Sequence, residues 1–412
     1  MKKKVELLAP AGSLEKAKIA FLYGADAVYA GTSKLSLRTR AEMESDSLAQ
    51  TIEYAHSIGK KVYVALNIYA RDSDYEDIIE EVKKLSKLEP DGLIVADGGI
   101  IDIIKEYGPN LPIHISTQAN TVSAHSANFW RKNGATRVIL ARELHKEEIK
   151  GIVNGTPEDF EVEMFIHGAI CFGYSGRCYL SNYLANRNSN LGDCAQCCRW
   201  EYNVYVEEKK KPGVLMPVNY DEHGTYIFSS KDMCLMKDLP EILEMGVASL
   251  KIEGRLKTTY YLATVINAYR HAIDAYYEDP DHWNSKKYMN ELLKVKTRGL
   301  TDFYFNDKNN QDIQDYLGIQ KNVDWEHGAV VIDTNNEGIT TLEIKNKLQI
   351  GDELEILLPN TIETYSFRID NMIDYDTNIN IQVINPGKEE QKIKMKLPIE
   401  VKEGYIIRRK RM

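Results

Sequence analysis

Between residues 5 and 252, short apolar runs alternate with longer stretches whose apolar positions recur every three or four residues. The runs are Val5–Pro10, Ala27–Ala30, Lys61–Asn67, Gly92–Ala96, Ile113–Ser116, Arg137–Ala141, Glu161–Ile166 and Ser249–Ile252. Each is short and ends at turn-forming or polar residues, which predicts a strand. Ser13–Tyr23, Asp74–Leu88 and Asp97–Tyr107 have helical spacing, and in the second of these Ile78, Ile79, Val82 and Leu85 share a face. Eight strands with helices between them predict an α/β fold of the TIM-type (β/α)8 barrel class. A doubly wound open sheet would show the same alternation. The seventh and eighth runs are separated by a long insert, residues 171–248.

Polar residues gather where the runs end, and in a barrel that end is a common mouth. Glu6, Tyr29, Asn67, Asp97, His114, Gln118, Arg142, Glu143, His167, Glu253 and Arg255 are the candidates. A single one, such as His114 on an apolar strand, reads as a core residue or a strand terminator. Together they predict a polar pocket that accepts anions, because Arg142 and Arg255 offer planar forks to a carboxylate or phosphate.

Beyond residue 275 the pattern changes. Residues 276–325 read as a closing helix and a connector. Residues 326–412 carry short β runs broken by turn residues: Ala329–Ile332, Thr340–Ile344, Asp352–Leu357, Thr364–Ile369, Ile379–Val383 and Tyr405–Arg408. They predict a small antiparallel β-barrel, so the expected domains are 1–275, 276–325 and 326–412. No run of 18 apolar residues occurs and no leader-like segment follows Met1, which predicts a cytoplasmic, reducing setting without a membrane partner. The net charge of −9 argues against indiscriminate nucleic-acid binding but leaves room for a local basic patch, with Arg408–Arg411 and Lys209–Lys211 as sources.

Five of the six cysteines fall between positions 171 and 198. In a reducing compartment such clustering indicates a metal or redox centre more than a disulfide framework. Taken as Cys171, Cys178, Cys194 and Cys198, the spacing is C-x6-C-x15-C-x3-C. Structural zinc favours tight C-x2-C pairs, whereas four thiolates converging from spaced loops suit an iron–sulfur cluster. Zinc remains the alternative metal.

The stretch Glu163-Met-Phe-Ile-His167-Gly-Ala-Ile-Cys171-Phe-Gly-Tyr-Ser-Gly-Arg177-Cys178-Tyr-Leu-Ser181-Asn resembles the signature of the peptidase U32 family, the collagenase-like proteases. Leu7–Gly12, Asn186–Gly192, Asp221–Tyr226 and Ser249–Arg255 extend the resemblance over nearly the whole chain. Within that family the chain is most similar to the tRNA hydroxylation proteins. The resemblance implies formation of 5-hydroxyuridine at the wobble position of a tRNA anticodon loop, without molecular oxygen and with prephenate as hydroxyl donor. It also implies a [4Fe–4S] cluster on Cys171, Cys178, Cys194 and Cys198, with Cys197 and Cys234 as alternates, and it leaves room for a paralogous U32 partner chain. On this reading His114, His167 and Glu253 handle protons, while Arg142, Arg255, Asn67, Gln118, Tyr174 and Arg177 bind substrate. The alternatives are a U32-type peptidase and a non-catalytic zinc or RNA-binding module. Neither a serine elbow nor an H-E-x-x-H zinc motif is present.

Overall fold

In a computed structural model, the residues described are 4–32, 42–171, 173–174, 177–189, 193–200, 202–207, 209–210, 212–213, 215–218, 230–308, 310, 313, 323–387 and 391–411. Asp221–Tyr226, Lys211, and the end of the Asn186–Gly192 stretch lie outside them. All eight predicted barrel strands form: β1 (Glu6–Pro10), β2 (Ala27–Thr32), β3 (Lys61–Leu66), β4 (Gly92–Val95), β5 (Ile113–Ile115), β6 (Ala135–Ile139), β7 (Glu161–Ala169) and β8 (Ser249–Ile252). Neighbours pair in parallel in chain order. Because β8 pairs with both β7 and β1, the sheet closes into a barrel. Two compact units result, one of residues 1–14, 26–256 and 297–321, the other of residues 15–25, 257–296 and 322–412.

Local sequence explains the elements. The helix Tyr75–Leu88 buries Ile78, Val82 and Leu85, the i, i+4, i+7 stripe, and stops where Glu89 turns left-handed at φ 51°. Asp97 caps the helix Gly98–Tyr107, its carboxylate accepting from the amides of Gly99 and Ile100. That structural duty accounts for a residue grouped with the mouth candidates.

The barrel interior is charged. Arg137, 3% exposed in its side chain, donates to Glu6 at 2.7 Å, Glu163 at 2.9 Å and Glu161 at 2.6 Å. Lys251 holds the second oxygen of Glu163 at 2.9 Å. Glu6 therefore belongs to this network at the N-terminal end of β1 and not to the mouth. Burial pushes the Glu6 carboxyl up, but Arg137 outweighs it and the net shift is downward. His114 packs edge-on to Tyr63, centroids 4.7 Å apart, and needs glycine on the neighbouring strand: a Cβ on Gly92 would stand 2.8 Å from its ring.

The second unit contains the helices Thr259–Glu278 and Lys286–Leu292, with Thr258 capping the former. Its strands are β9 (Trp325–Thr334), β10 (Ile339–Ile344), β11 (Glu353–Leu357), β12 (Thr364–Arg368), β13 (Lys392–Lys396) and β14 (Ile406–Lys410). With the short piece Ile373–Asp374 they form a seven-stranded antiparallel sheet in the order β12, β11, β14, β9, β10, β13, Ile373–Asp374. Ala329, Val331, Leu342, Leu354, Ile356, Ile393 and Ile407 form its core. The Tyr23 hydroxyl donates to Leu357 O and accepts from Ile406 N, which ties residues 15–25 to this sheet.

Two expectations change here. Of the Ile379–Val383 run only its last residue enters a strand, Val383–Ile384, because Asp374 caps a turn at Thr377 and Asn378 adopts φ 56°. The Arg408–Arg411 run is not a solvated tail. Arg408 is fully buried in β14 and bridges Glu355 and Glu291, Arg409 pairs with Glu326, Lys410 with Glu353 and Arg411 with Glu326. These cations hold the sheet together, so the run is withdrawn as a phosphate-contacting arm.

Candidate functional site

At the C-terminal ends of the barrel strands lies a cavity of about 60 Å³. Asn67, Gln118, Arg142, Glu253 and Arg255 line it as the sequence predicts, together with Tyr29, Ser116, Phe165 and Lys251. The Arg142 guanidinium stacks 3.9 Å above Phe165 and donates to Ala169 O at 2.8 Å. It stands 3.9 Å from Glu253, whose other approach is the Tyr29 hydroxyl at 3.2 Å. Asn67 donates to the Ser116 hydroxyl at 3.1 Å, and Gln118 Oε1 is buried without a hydrogen-bond partner. Glycine makes the geometry reachable: Gly168 sits at φ 115°, and a Cβ there would lie 2.4 Å from Glu253 O. Three cations against one carboxylate give the cavity an anion-accepting field.

The remaining pocket candidates sit elsewhere. His114 and His167 are 4% and 1% exposed and do not line the cavity. His114 lies deeper in the barrel, where burial, then Arg137 and Lys251, push its pKa well below the ordinary histidine value, so it is a neutral ring at neutral pH. His167 faces Cys234 across the antiparallel pairing of β7 with Asp232–Cys234. Lys251 is the lining residue that reading by strand ends misses, since it interrupts an apolar run one position before the end of β8. The inward alternation Ser249, Lys251, Glu253 was the available signal. A larger open cleft of about 500 Å³ in the second unit, beside Trp283, holds none of the predicted site residues.

The insert follows directly on β7. Arg177 N donates to Tyr174 O at 2.8 Å, and a Cβ on Gly173 would meet the Cβ of Cys178 at 2.8 Å. The short helix Leu180–Ala185 and the turn Cys197–Arg199 follow. Ser189 donates to Cys178 O at 2.7 Å, Ala195 N to the Ser181 hydroxyl at 2.8 Å, and Gln196 N to the Cys194 sulfur at 3.3 Å. Arg199 reaches back to Ile170 O at 3.2 Å. Arg177 lies 6.0 Å over the Tyr69 ring, whose hydroxyl donates to Gln118 O, so the insert adjoins the mouth.

All six cysteines are thiols. Burial pushes the Cys194 thiol up, and the thiols of Cys171 and Cys178 add to the shift. Cys198 is also raised by burial; Arg199 opposes, and Cys171, Cys194 and Cys178 again add. The four sulfurs thus share one electrostatic neighbourhood. Cys197 is buried, with its carbonyl accepting from the Tyr202 hydroxyl, and Cys234 lies in a strand. Among the described residues no three His, Cys, Asp or Glu side chains stand preformed at ligating distance. The electrostatic coupling of Cys194 and Cys198 with Cys171 and Cys178, and the thiol chemistry of the set, suit a thiolate-ligated group. Tyr179, Tyr183 and Trp200 beside them are 75%, 81% and 42% exposed, and Tyr174 is 48% exposed.

The Peptidase family U32 profile matches residues 12–315, and the family's C-terminal domain profile matches residues 325–408. The chain belongs to peptidase family U32. Among its U32 relatives, tRNA hydroxylation protein P of Escherichia coli is 38% identical over 86% of this chain and 86% of its own length. tRNA hydroxylation protein P1 of Bacillus subtilis is 38% identical over 91% and 88%. A collagenase of Porphyromonas gingivalis is 30% identical over 86% and 87%. No helix among the described residues of this U32 chain is long and apolar enough to cross a membrane.

Proposed function

We propose that this chain is a tRNA-modifying enzyme that hydroxylates a uridine in an anticodon loop, forming 5-hydroxyuridine. The observation that carries the reading is a mouth cavity bearing Arg142, Lys251 and Arg255, adjoined by an insert in which Cys194 and Cys198 lie within electrostatic reach of each other and of Cys171 and Cys178. Relatives named for tRNA hydroxylation, similar over most of both chains, support it. The four thiols would hold a [4Fe–4S] cluster, one thiolate to each iron, which would supply single-electron transfer when bound. Arg142 and Arg255 bind and orient the carboxylates of a prephenate-type hydroxyl donor, and Glu253, held by the Tyr29 hydroxyl, moves protons at the donor. Exposed Tyr179, Tyr183 and Trp200 offer flat faces on which splayed loop bases stack.

The peptidase reading draws on the relative named collagenase. Its best nucleophile–base arrangement is Cys234 with His167, yet Cys234 is 8% exposed and lies within a strand, a poor approach for a peptide. Mass spectrometry of tRNA nucleosides from a strain lacking this chain tests the function. Loss of 5-hydroxyuridine and its derivatives, restored by the intact chain, is expected; an unchanged nucleoside profile overturns the proposal.

A further inference from the structure

We infer that Lys251 forms an imine with a 2-keto acid held in the mouth cavity. The inference rests on the reading of that cavity as an acid site and adds a covalent step to it.

Lys251 carries the one amine among the cavity's described lining residues. Its Nζ lies 4.3 Å from the centroid of Tyr29 and 5.5 Å from that of Phe165. Arg142 stacks on the same Phe165, and the Arg255 guanidinium lies 5.8 Å from the same Tyr29 ring. The amine is therefore set between two rings, each carrying a guanidinium. A carboxylate bound by either arginine presents its next carbon toward the amine, and in a 2-keto acid that carbon is the carbonyl. A cavity of about 60 Å³ takes a small acid head and not a nucleobase.

Glu163, 2.9 Å from Nζ and fully buried, supplies the base. It takes a proton from the ammonium. The freed lone pair forms a C–N bond to the keto carbon as the C=O π pair moves onto oxygen. The adduct nitrogen yields a second proton to the Glu253 carboxylate; this proton and the one held by Glu163 pass to the oxygen, which leaves as water as the nitrogen lone pair closes the C=N bond. One amine and one ketone give one imine and one water, with no oxidant or reductant. The protonated imine is an electron sink that eases bond breaking at the adjoining carbon. A purely structural ion pair would have no need to face a cavity. Burial also holds the ammonium below its ordinary pKa against the opposing pull of Glu163, and each unit of lowering raises the reactive neutral fraction about tenfold.

The test uses the full chain purified without oxygen, pyruvate as the probe acid, and sodium cyanoborohydride to trap the imine. Intact mass should rise by the acid less one oxygen atom, and peptide mapping should place that adduct on Lys251 at least about tenfold over exposed Lys209. Mapping on the unaltered chain makes the result independent of whether Lys251→Gln folds. Thermal stabilisation by pyruvate is measured in parallel on the unaltered chain and on Arg255→Ala. Stabilisation that requires Arg255, with no adduct on Lys251, overturns the imine and leaves the acid site standing. Absence of both stabilisation and adduct overturns both. Adducts spread over surface lysines according to their exposure also overturn the imine.

Discussion

Replacing Arg137 with Met probes the charged centre of the barrel. The substitution keeps most of the side-chain volume and removes the cation that joins Glu6, Glu161 and Glu163. Summing five charge-assisted hydrogen bonds at about 1.5–3 kcal/mol each would overstate the loss. One of the five goes to the neutral Tyr63 hydroxyl, Glu161 is a third exposed and rehydrates, Glu163 keeps Lys251, and Glu6 keeps Tyr63. What remains is a buried carboxylate pair short of one cation, for which about 3–5 kcal/mol is the appropriate scale. At roughly 2–4 °C per kcal/mol for a domain of this size, the melting temperature should fall by roughly 10 °C. The sign of the pH dependence follows from Glu6, whose carboxyl is held below its ordinary value in the intact chain. Its stabilisation is present above the unfolded carboxylate pKa and is lost as pH falls through the folded one. The gap between intact and variant chains should therefore narrow below about pH 4.5. Urea unfolding followed by circular dichroism from about pH 2 to pH 8 measures both effects. A loss under about 1 kcal/mol, or a gap that stays constant in acid, would refute this account of the interior.

Gly92→Ala should cost about 1–3 kcal/mol, because the new methyl meets the His114 ring at 2.8 Å, and His114→Ala in the same chain should recover part of it; additive losses would show that the ring is not the obstacle. Burial pushes His327 in the second unit down to about 3. The unfolded chain binds a proton below about pH 6.5 that the folded chain refuses, so stability should fall by about 1.4 kcal/mol per pH unit from there toward pH 3. His327→Gln should flatten the slope by that amount in acid titrations of unfolding, and an unchanged slope would remove His327 as its source.

The barrel was legible because its strands are buried on both faces, so each appears as a short apolar run between helical periodicities. The residues Tyr29, Asn67, Gln118, Arg142, Glu253 and Arg255 that line the mouth cavity were legible from position alone. Arg137 and Lys251 were not, because an isolated charge in an apolar run looks like an interruption until strands distant in sequence bring Glu6 and Glu163 to it. Arg408 misleads for the same reason: its partners Glu291 and Glu355 lie 117 and 53 residues away, so four consecutive cations read as a tail. Asp97 and Glu6 were grouped with the mouth because a polar residue beside a strand has the same appearance as a cap, a network member or a ligand-binding group.

What the four thiols bind decides between hydroxylation, proteolysis and a zinc module. Protein produced and purified without oxygen is assayed for iron, acid-labile sulfide and zinc, alongside Cys194→Ser. Roughly four iron and four sulfide per chain are predicted for the intact protein, with most of both lost in the variant, because one missing thiolate opens the cluster to water. One zinc per chain with no sulfide, or iron content indifferent to Cys194, would contradict it.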